Sequence, residues 1–136
     1  MLRGLRRQAA SEGLNTIIHG ELWERNILFR PADGRCTLLD WKNAKVAAAT
    51  LDLAFLLFSS CSGEAVVRHR AAALERYRAA HEAALARLAP ACAAPTAEEL
   101  EADFALSLKD ALLQAICMFV QEMEYLEVGG CKRIVQ

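Results

Sequence analysis

The chain has 136 residues, enough for one domain with a real core and little more. With 54% hydrophobic and 24% charged residues it is not a disordered chain, and a net charge of −1 excludes long-range attraction to nucleic acid or to an anionic membrane. The longest apolar run, Leu53 to Phe58, falls far short of the roughly 18 residues that span a bilayer.

Met1 to Ser11 is short and basic, with Leu2, Leu5 and Ala9 at helical spacing, and Gly13 follows as a stop. Arg3, Arg6 and Arg7 read as a solvated helix face, because no apolar targeting core follows them. Thr16-Ile17-Ile18 is a short β-branched strand, and His19 to Asn26 a loop entered through Gly20. Ile27 to Arg30 and Cys36 to Asp40 form two strands. Pro31-Ala32-Asp33-Gly34-Arg35 between them has the composition of a hairpin turn. The hairpin puts Asn26 at the start of one strand and Asp40 at the end of its neighbour, so the two meet at one end.

Trp41 to Thr50 is polar and small, and is expected to be a loop. Leu51 to Ser60 is a buried, helical apolar segment. Ser62 caps a second helix, Gly63 to about Leu88, with Glu64 in its first turn. After a break at Pro90 to Pro95, Thr96-Ala97-Glu98-Glu99 is a capping box opening a long helix to about Val128, closed by Gly129-Gly130.

The chemistry-bearing residues cluster. His19, Glu21, Asn26 and Asp40 lie on loops or strand ends in an otherwise apolar region. For one such residue a turn or cap role is the simpler reading; for four at one end of a hairpin it is not. Carboxylates and an amide oxygen are hard ligands that suit Mg²⁺, which takes one or two carboxylates and completes its shell with water and phosphate oxygens. A further carboxylate within reach can accept a proton from a hydroxyl. Zinc is disfavoured: His19-Gly20-Glu21 is not HExxH, and His69 and His81 sit on a predicted helix as surface residues. The five cysteines are odd in number and include no CxxC pair, which fits reduced thiols in a cytoplasmic protein. Trp23 and Trp41 are expected to pack, Lys42 and Lys45 to be solvated, and Leu53 to Phe58 to be core.

The stretch His19-Gly20-Glu21-Leu22-Trp23-Glu24-Arg25-Asn26-Ile27-Leu28-Phe29, then Leu38-Leu39-Asp40-Trp41, then Leu51-Asp52-Leu53-Ala54 resembles the catalytic core of the aminoglycoside phosphotransferase and choline kinase group. It is most similar to the ecdysteroid kinase-like (CHK kinase-like) branch, to which LDLAFLLFSS at Leu51 to Ser60 also corresponds. The resemblance implies an α+β, mostly helical fold: a protein kinase-like C-terminal lobe with a small β-hairpin at the catalytic loop and long C-terminal helices. It implies transfer of the ATP γ-phosphoryl to a small-molecule hydroxyl with Mg²⁺. By position, Glu21 stands at the catalytic base, Asn26 and Asp40 at the metal ligands, His19 at a loop-steadying residue, and Asp52 at a buried aspartate with a structural role.

Two departures from the family pattern shape the expectation. The base is Glu21 where the family has Asp; an extra methylene moves a carboxylate by roughly 1.5 Å, and about 1 Å of misplacement can cost about a hundredfold in rate. No Gly-rich loop or strand lysine precedes His19, so residues 1–136 read as a single partial domain, a C-lobe without its N-lobe. The face that would meet an N-lobe is then expected to be exposed and to drive self-association. Two functions stay open: a kinase lobe, incomplete or inactive as this chain, and a non-catalytic pseudokinase-type binding protein. The Ala-rich later helices are compatible with a sterol-like or other apolar alcohol as acceptor. For Tyr77, Asp103, Gln114, Glu122 and Tyr125 a pocket-facing and a solvated position are equally expected.

Overall fold

The computed structural model describes residues 14–128, with side chains to residue 120 apart from Phe119. The helix expected over Met1 to Ser11, Gly13 and Gly129-Gly130 lie outside the described residues. The fold is α+β and mostly helical. Four short strands come first, β1 (Asn15–Ile18), β2 (Ile27–Phe29), β3 (Cys36–Leu38) and β4 (Lys45–Ala48). Three helices follow, α1 (Leu51–Ser60), α2 (Gly63–Leu88) and α3 (Ala97–Val128).

The strands make two separate antiparallel pairs. β2 and β3 form the expected hairpin, with Ile27 opposite Leu38 and Phe29 opposite Cys36. Its turn is closed by Arg30 N–H to the Arg35 carbonyl at 2.8 Å and Gly34 N–H to the Arg30 carbonyl at 3.0 Å, with Gly34 at φ +66°. The pairing runs one step past the strands, because Leu39 N–H donates to the Asn26 carbonyl at 2.9 Å. Asp40 is the next residue, so Asn26 and Asp40 share one end of the hairpin as expected.

β4 corrects the expectation of a loop over Trp41 to Thr50. Its four residues, Lys45-Val46-Ala47-Ala48, carry little intrinsic strand preference. The strand exists because β1 supplies a partner, with Asn15 opposite Ala48 and Ile18 opposite Lys45. Everything between residues 19 and 44 is therefore held at its neck by the β1–β4 pair.

The core lies where α1 runs along α3. Ala54, Phe55 and Leu57 of α1 pack with Leu74 of α2 and with Phe104 and Ala111 of α3. Burying Phe55 and Phe104, both nearly inaccessible, stabilises the domain by about 2–3 kcal/mol each. Phe58 departs from the expected core: it is 42% exposed, on the outer side of α1.

α2 buries little beyond Leu74. Ser62 caps it by accepting from Ala65 N–H, and Arg78 bridges Glu75 and Glu82 along its surface. The Thr96 capping box opens α3 as expected: Thr96 N–H donates to Glu99 Oε2 at 2.8 Å and Glu99 N–H to Thr96 Oγ1 at 3.2 Å. Those bonds hold the Glu99 carboxyl below its ordinary range.

Candidate active site

The site begins where β1 ends. Ile18 and His19 are both buried, which drives the chain inward just before the polar loop. Asp52, in the first turn of α1, then takes both N–H groups at the bend. His19 N–H donates to Asp52 Oδ2 at 2.5 Å and Gly20 N–H to Oδ1 at 2.9 Å. A carboxylate accepting two backbone donors is a strong, directional clamp.

His19 steadies the same loop from inside. Its Nε2 is 2.6 Å from the Leu39 carbonyl, which can only accept, so Nε2 carries the proton. Nδ1 is then the acceptor facing Glu21 N–H, at 3.4 Å. The His19 ring lies 4.7 Å from that of Trp41. The loop from His19 to Asn26 and the end of β3 are thus joined through one imidazole.

Gly20 is required by space. Its φ is +84°, and a Cβ there would fall 2.3 Å from the Asn43 carbonyl oxygen. Only glycine lets the turn Trp41–Asn43 press against the loop. The Gly20 carbonyl is taken from the far side by Gln114 Nε2 of α3, at 2.9 Å.

Glu21, Asn26 and Asp40 complete the constellation. Asn26 Nδ2 donates to the Glu21 carbonyl at 2.9 Å, which leaves the amide oxygen as the atom available to a cation. Glu21 Oε2 accepts from Asn43 Nδ2 at 2.7 Å. Asp40 is the one non-glycine residue with positive φ among the described residues, at φ 59° and ψ 61°. Such backbone in a non-glycine residue concentrates at functional sites. Lys42 Nζ lies 2.9 Å from Asp40 Oδ2 and 4.0 Å from Glu21 Oε2, so one ammonium faces both carboxylates. The hydrogen bond from Lys42 holds the Asp40 carboxyl below its ordinary range, and the same contact raises Lys42. Lys42 is exposed, as expected, but paired.

Among the described residues no three His, Cys, Asp or Glu side chains gather as a metal cluster. The oxygen set of Asp40 and Asn26 nonetheless fits a hard cation that shares its shell with phosphate oxygens. The ammonium already drawn to Asp40 and Glu21 shows that the place favours positive charge.

Several residues expected to face a pocket or solvent instead hold this site in place. Asp103, on α3, accepts at Oδ2 from Thr50 N–H at 3.0 Å and from the Thr50 hydroxyl at 2.7 Å, with Ser107 Oγ beside it. Tyr77 donates to the Ala49 carbonyl at 2.6 Å. Burial pushes the Tyr77 phenol up to about 12, with Asp103 and Asp52 adding to the rise. A signal for Asp103 was present in the sequence: Leu100, Asp103, Phe104, Ser107 and Ala111 share one helical stripe, and all are buried. The side chains of Glu122 and Tyr125 lie outside the described residues. His81 corrects its surface reading, being half-buried and stacked 6.0 Å from the Tyr77 ring.

Beside the loop, Trp23, Phe55, Phe58, Ala115 and Met118, together with Glu24, Arg25 and Ser59, line a cavity of about 290 Å³. Trp23 packs as expected, and its loop is tied to α1 through Glu24, whose N–H donates to Ser60 Oγ while its carboxylate accepts from that hydroxyl. Trp41 is half-exposed, against the packing expected of it, apart from its contact with His19. The described cysteines, Cys36, Cys61, Cys92 and Cys117, are unpaired. No described helix is long and apolar enough to cross a membrane.

The model of the ecdysteroid kinase-like family matches residues 2–89, the segment that carries the loop, the hairpin, Asp40 and Asp52. The chain belongs to the ecdysteroid kinase-like family. Comparison with curated proteins gave no match, and neither did comparison with solved structures. α3 lies beyond the matched segment, so the tethers from Asp103 and Gln114 are supplied by a part of the chain that the family pattern does not reach.

Proposed function

We propose that this chain is the C-terminal lobe of an ATP- and Mg²⁺-dependent kinase that transfers the γ-phosphoryl to a hydroxyl of a small molecule. The observation that carries this reading is the convergence of Glu21 and Asp40 on one cation, with Asn26 fastened to the backbone of Glu21. Asp40 and Asn26 would hold Mg²⁺, which when bound neutralises charge on the transferred group. Glu21 would orient the acceptor hydroxyl and take its proton. His19, Gly20 and Asp52 fix the loop that presents it. A second lobe over the nucleotide completes the site in this reading.

The acceptor's apolar body is assigned to the cavity beside Trp23, two residues along the loop from Glu21. An apolar alcohol, sterol-like in chemistry, would lie against Phe55, Phe58 and Met118, with Glu24, Arg25 and Ser59 as the polar part of the lining. The unpaired cysteines support a reducing compartment, the cytosol. The exposed cross-strand pair Ile17 and Val46, 73% and 70% accessible, supports self-association of the lobe; a concentration-dependent dimer is the outcome expected in sedimentation velocity, and a monomer at all concentrations would overturn it.

A fluorescent ATP analogue tests the reading. Binding should require Mg²⁺ and be lost in Asn26→Ala and in Asp40→Ala. Nucleotide binding that ignores both substitutions overturns it. Where phosphotransfer is measured, Glu21→Asp should raise the rate; no rise means that the longer side chain is not limiting.

One observation favours the non-catalytic alternative. The Glu21 carboxylate is already engaged by Asn43 and lies beside Lys42, so it is less free to take a proton. That reading requires a ligand whose binding is indifferent to Asp40→Ala.

A further inference from the structure

We propose that Lys42 is a built-in counter-ion that competes with the divalent cation for Asp40 and Glu21. This rests on the assignment of Asp40 and Asn26 as the metal-binding pair. Lys42 Nζ is 2.9 Å from Asp40 Oδ2 and 4.0 Å from Glu21 Oε2, so it already occupies a carboxylate oxygen of the residue that would hold the metal. An ammonium and a divalent ion cannot share that carboxylate oxygen without strong repulsion. Each therefore weakens the other's hold on Asp40.

The backbone beneath Lys42 is fixed, so its position is not an accident of a loose loop. The turn Trp41–Asn43 is closed by Ala44 N–H to the Trp41 carbonyl at 3.0 Å. Trp41 Nε1 donates to the Leu38 carbonyl at 3.2 Å, and the Trp41 ring rests on His19. Asn43 sits so close to Gly20 that no Cβ fits between them, and its amide holds the Glu21 carboxylate. The turn therefore aims Lys42 at Asp40 and fixes Glu21 beside it. The Lys42 side chain itself is 65% exposed on a flexible stem, so it can swing into solvent when displaced. Lys45, three residues further on, provides an internal comparison. It lies on β4 opposite Ile18 and makes no ion pair among the described residues.

The consequence is a site that stays neutralised while empty and binds its metal more weakly than its oxygen donors alone would allow. Mn²⁺, counted by the paramagnetic resonance of the free ion at low ionic strength, tests this without any catalytic assay. Lys42→Gln should tighten Mn²⁺ about fivefold, the scale of one exposed ion pair. Lys42→Arg should stay within about twofold of the parent, because the charge is kept. Lys45→Gln should also change affinity by less than about twofold, because its charge is not directed at Asp40. The proposal is overturned if Lys42→Gln leaves Mn²⁺ affinity unchanged or weakens it, or if Lys45→Gln tightens binding equally. Mn²⁺ binding that persists in Asp40→Asn, or is absent from the parent and Lys42→Gln alike, overturns the metal-site assignment as well. The two failures are thereby distinguishable.

Discussion

The loop from His19 to Asn26 has two sides built by different physics. Its inner side is anchored by distant parts of the chain: Asp52 of α1 on two N–H groups, Gln114 of α3 on the Gly20 carbonyl, and Leu39 on the His19 ring. Its outer side is held by neighbours on a single turn, with Asn43 and Lys42 on Glu21 and Lys42 on Asp40. The inner contacts are half-buried and reach two helices beyond the hairpin; the outer ones are exposed, except for half-buried Glu21, and gather at one end of the hairpin. Substitutions on the inner side should therefore unfold or loosen the domain. Those on the outer side should change what binds and leave the fold alone.

The largest effect is expected at Asp52. Asp52→Ala removes the acceptor for two backbone donors, at a cost of about 3 kcal/mol in urea unfolding. Asp52→Asn keeps one oxygen and should recover part of that. A loss below about 1 kcal/mol for Asp52→Ala would mean that water replaces the clamp and that the loop is not anchored from within.

Gly20→Ala should follow, at about 2 kcal/mol, since alanine is disfavoured at φ +84° and its methyl meets the Asn43 backbone. This variant also probes the boundary between the two sides, because it pushes the turn carrying Lys42 and Asn43 off the loop. Destabilisation with unchanged Mn²⁺ affinity would show that the two sides are independent there.

Tyr77→Phe is expected to cost about 1 kcal/mol at neutral pH through the lost hydrogen bond to Ala49. Its pH dependence is the sharper readout. An unfolded tyrosine titrates near 10, whereas the Tyr77 phenol is pushed up to about 12 by burial. Between those values the unfolded chain loses its proton first, so this contribution to stability is intact below about pH 10 and falls as pH rises toward 12. The difference between parent and Tyr77→Phe should shrink across that window, and a constant difference would show that Tyr77 is not buried as described.

The outer side was the more legible in the sequence. Asn26 and Asp40 flank a hairpin whose turn chemistry is explicit, strand geometry alone brings them together, and Glu21 lies in the loop that leads into it. The helices announced themselves through Ser62 and the Thr96-Glu99 box, whose capping bonds are local. What could not be read depended on distant partners. β4 has no strand signal without β1. Tyr77 and Gln114 looked like free polar handles because their partners, at Ala49 and Gly20, lie 28 and 94 positions away, and the stripe that marks Asp103 as buried says nothing of its partner Thr50, 53 positions away. Asp52 was placed by resemblance rather than by pattern.

The smallest structural effect is expected at Asp40, and that is the strongest discriminator between the two sides. Asp40→Asn keeps a side chain that tolerates the left-handed backbone at φ 59°, and it gives up an ion pair that is open to solvent. The urea midpoint should therefore not move, while Mn²⁺ and Mg²⁺-dependent nucleotide binding disappear. Asp40→Ala tests the backbone separately, because alanine lacks the local hydrogen bonding that makes aspartate and asparagine tolerable there. If Asp40→Asn lowered the midpoint as far as Asp52→Ala does, the exposed carboxylate would be part of the scaffold, and the division between an anchored inner side and a chemically available outer side would fail.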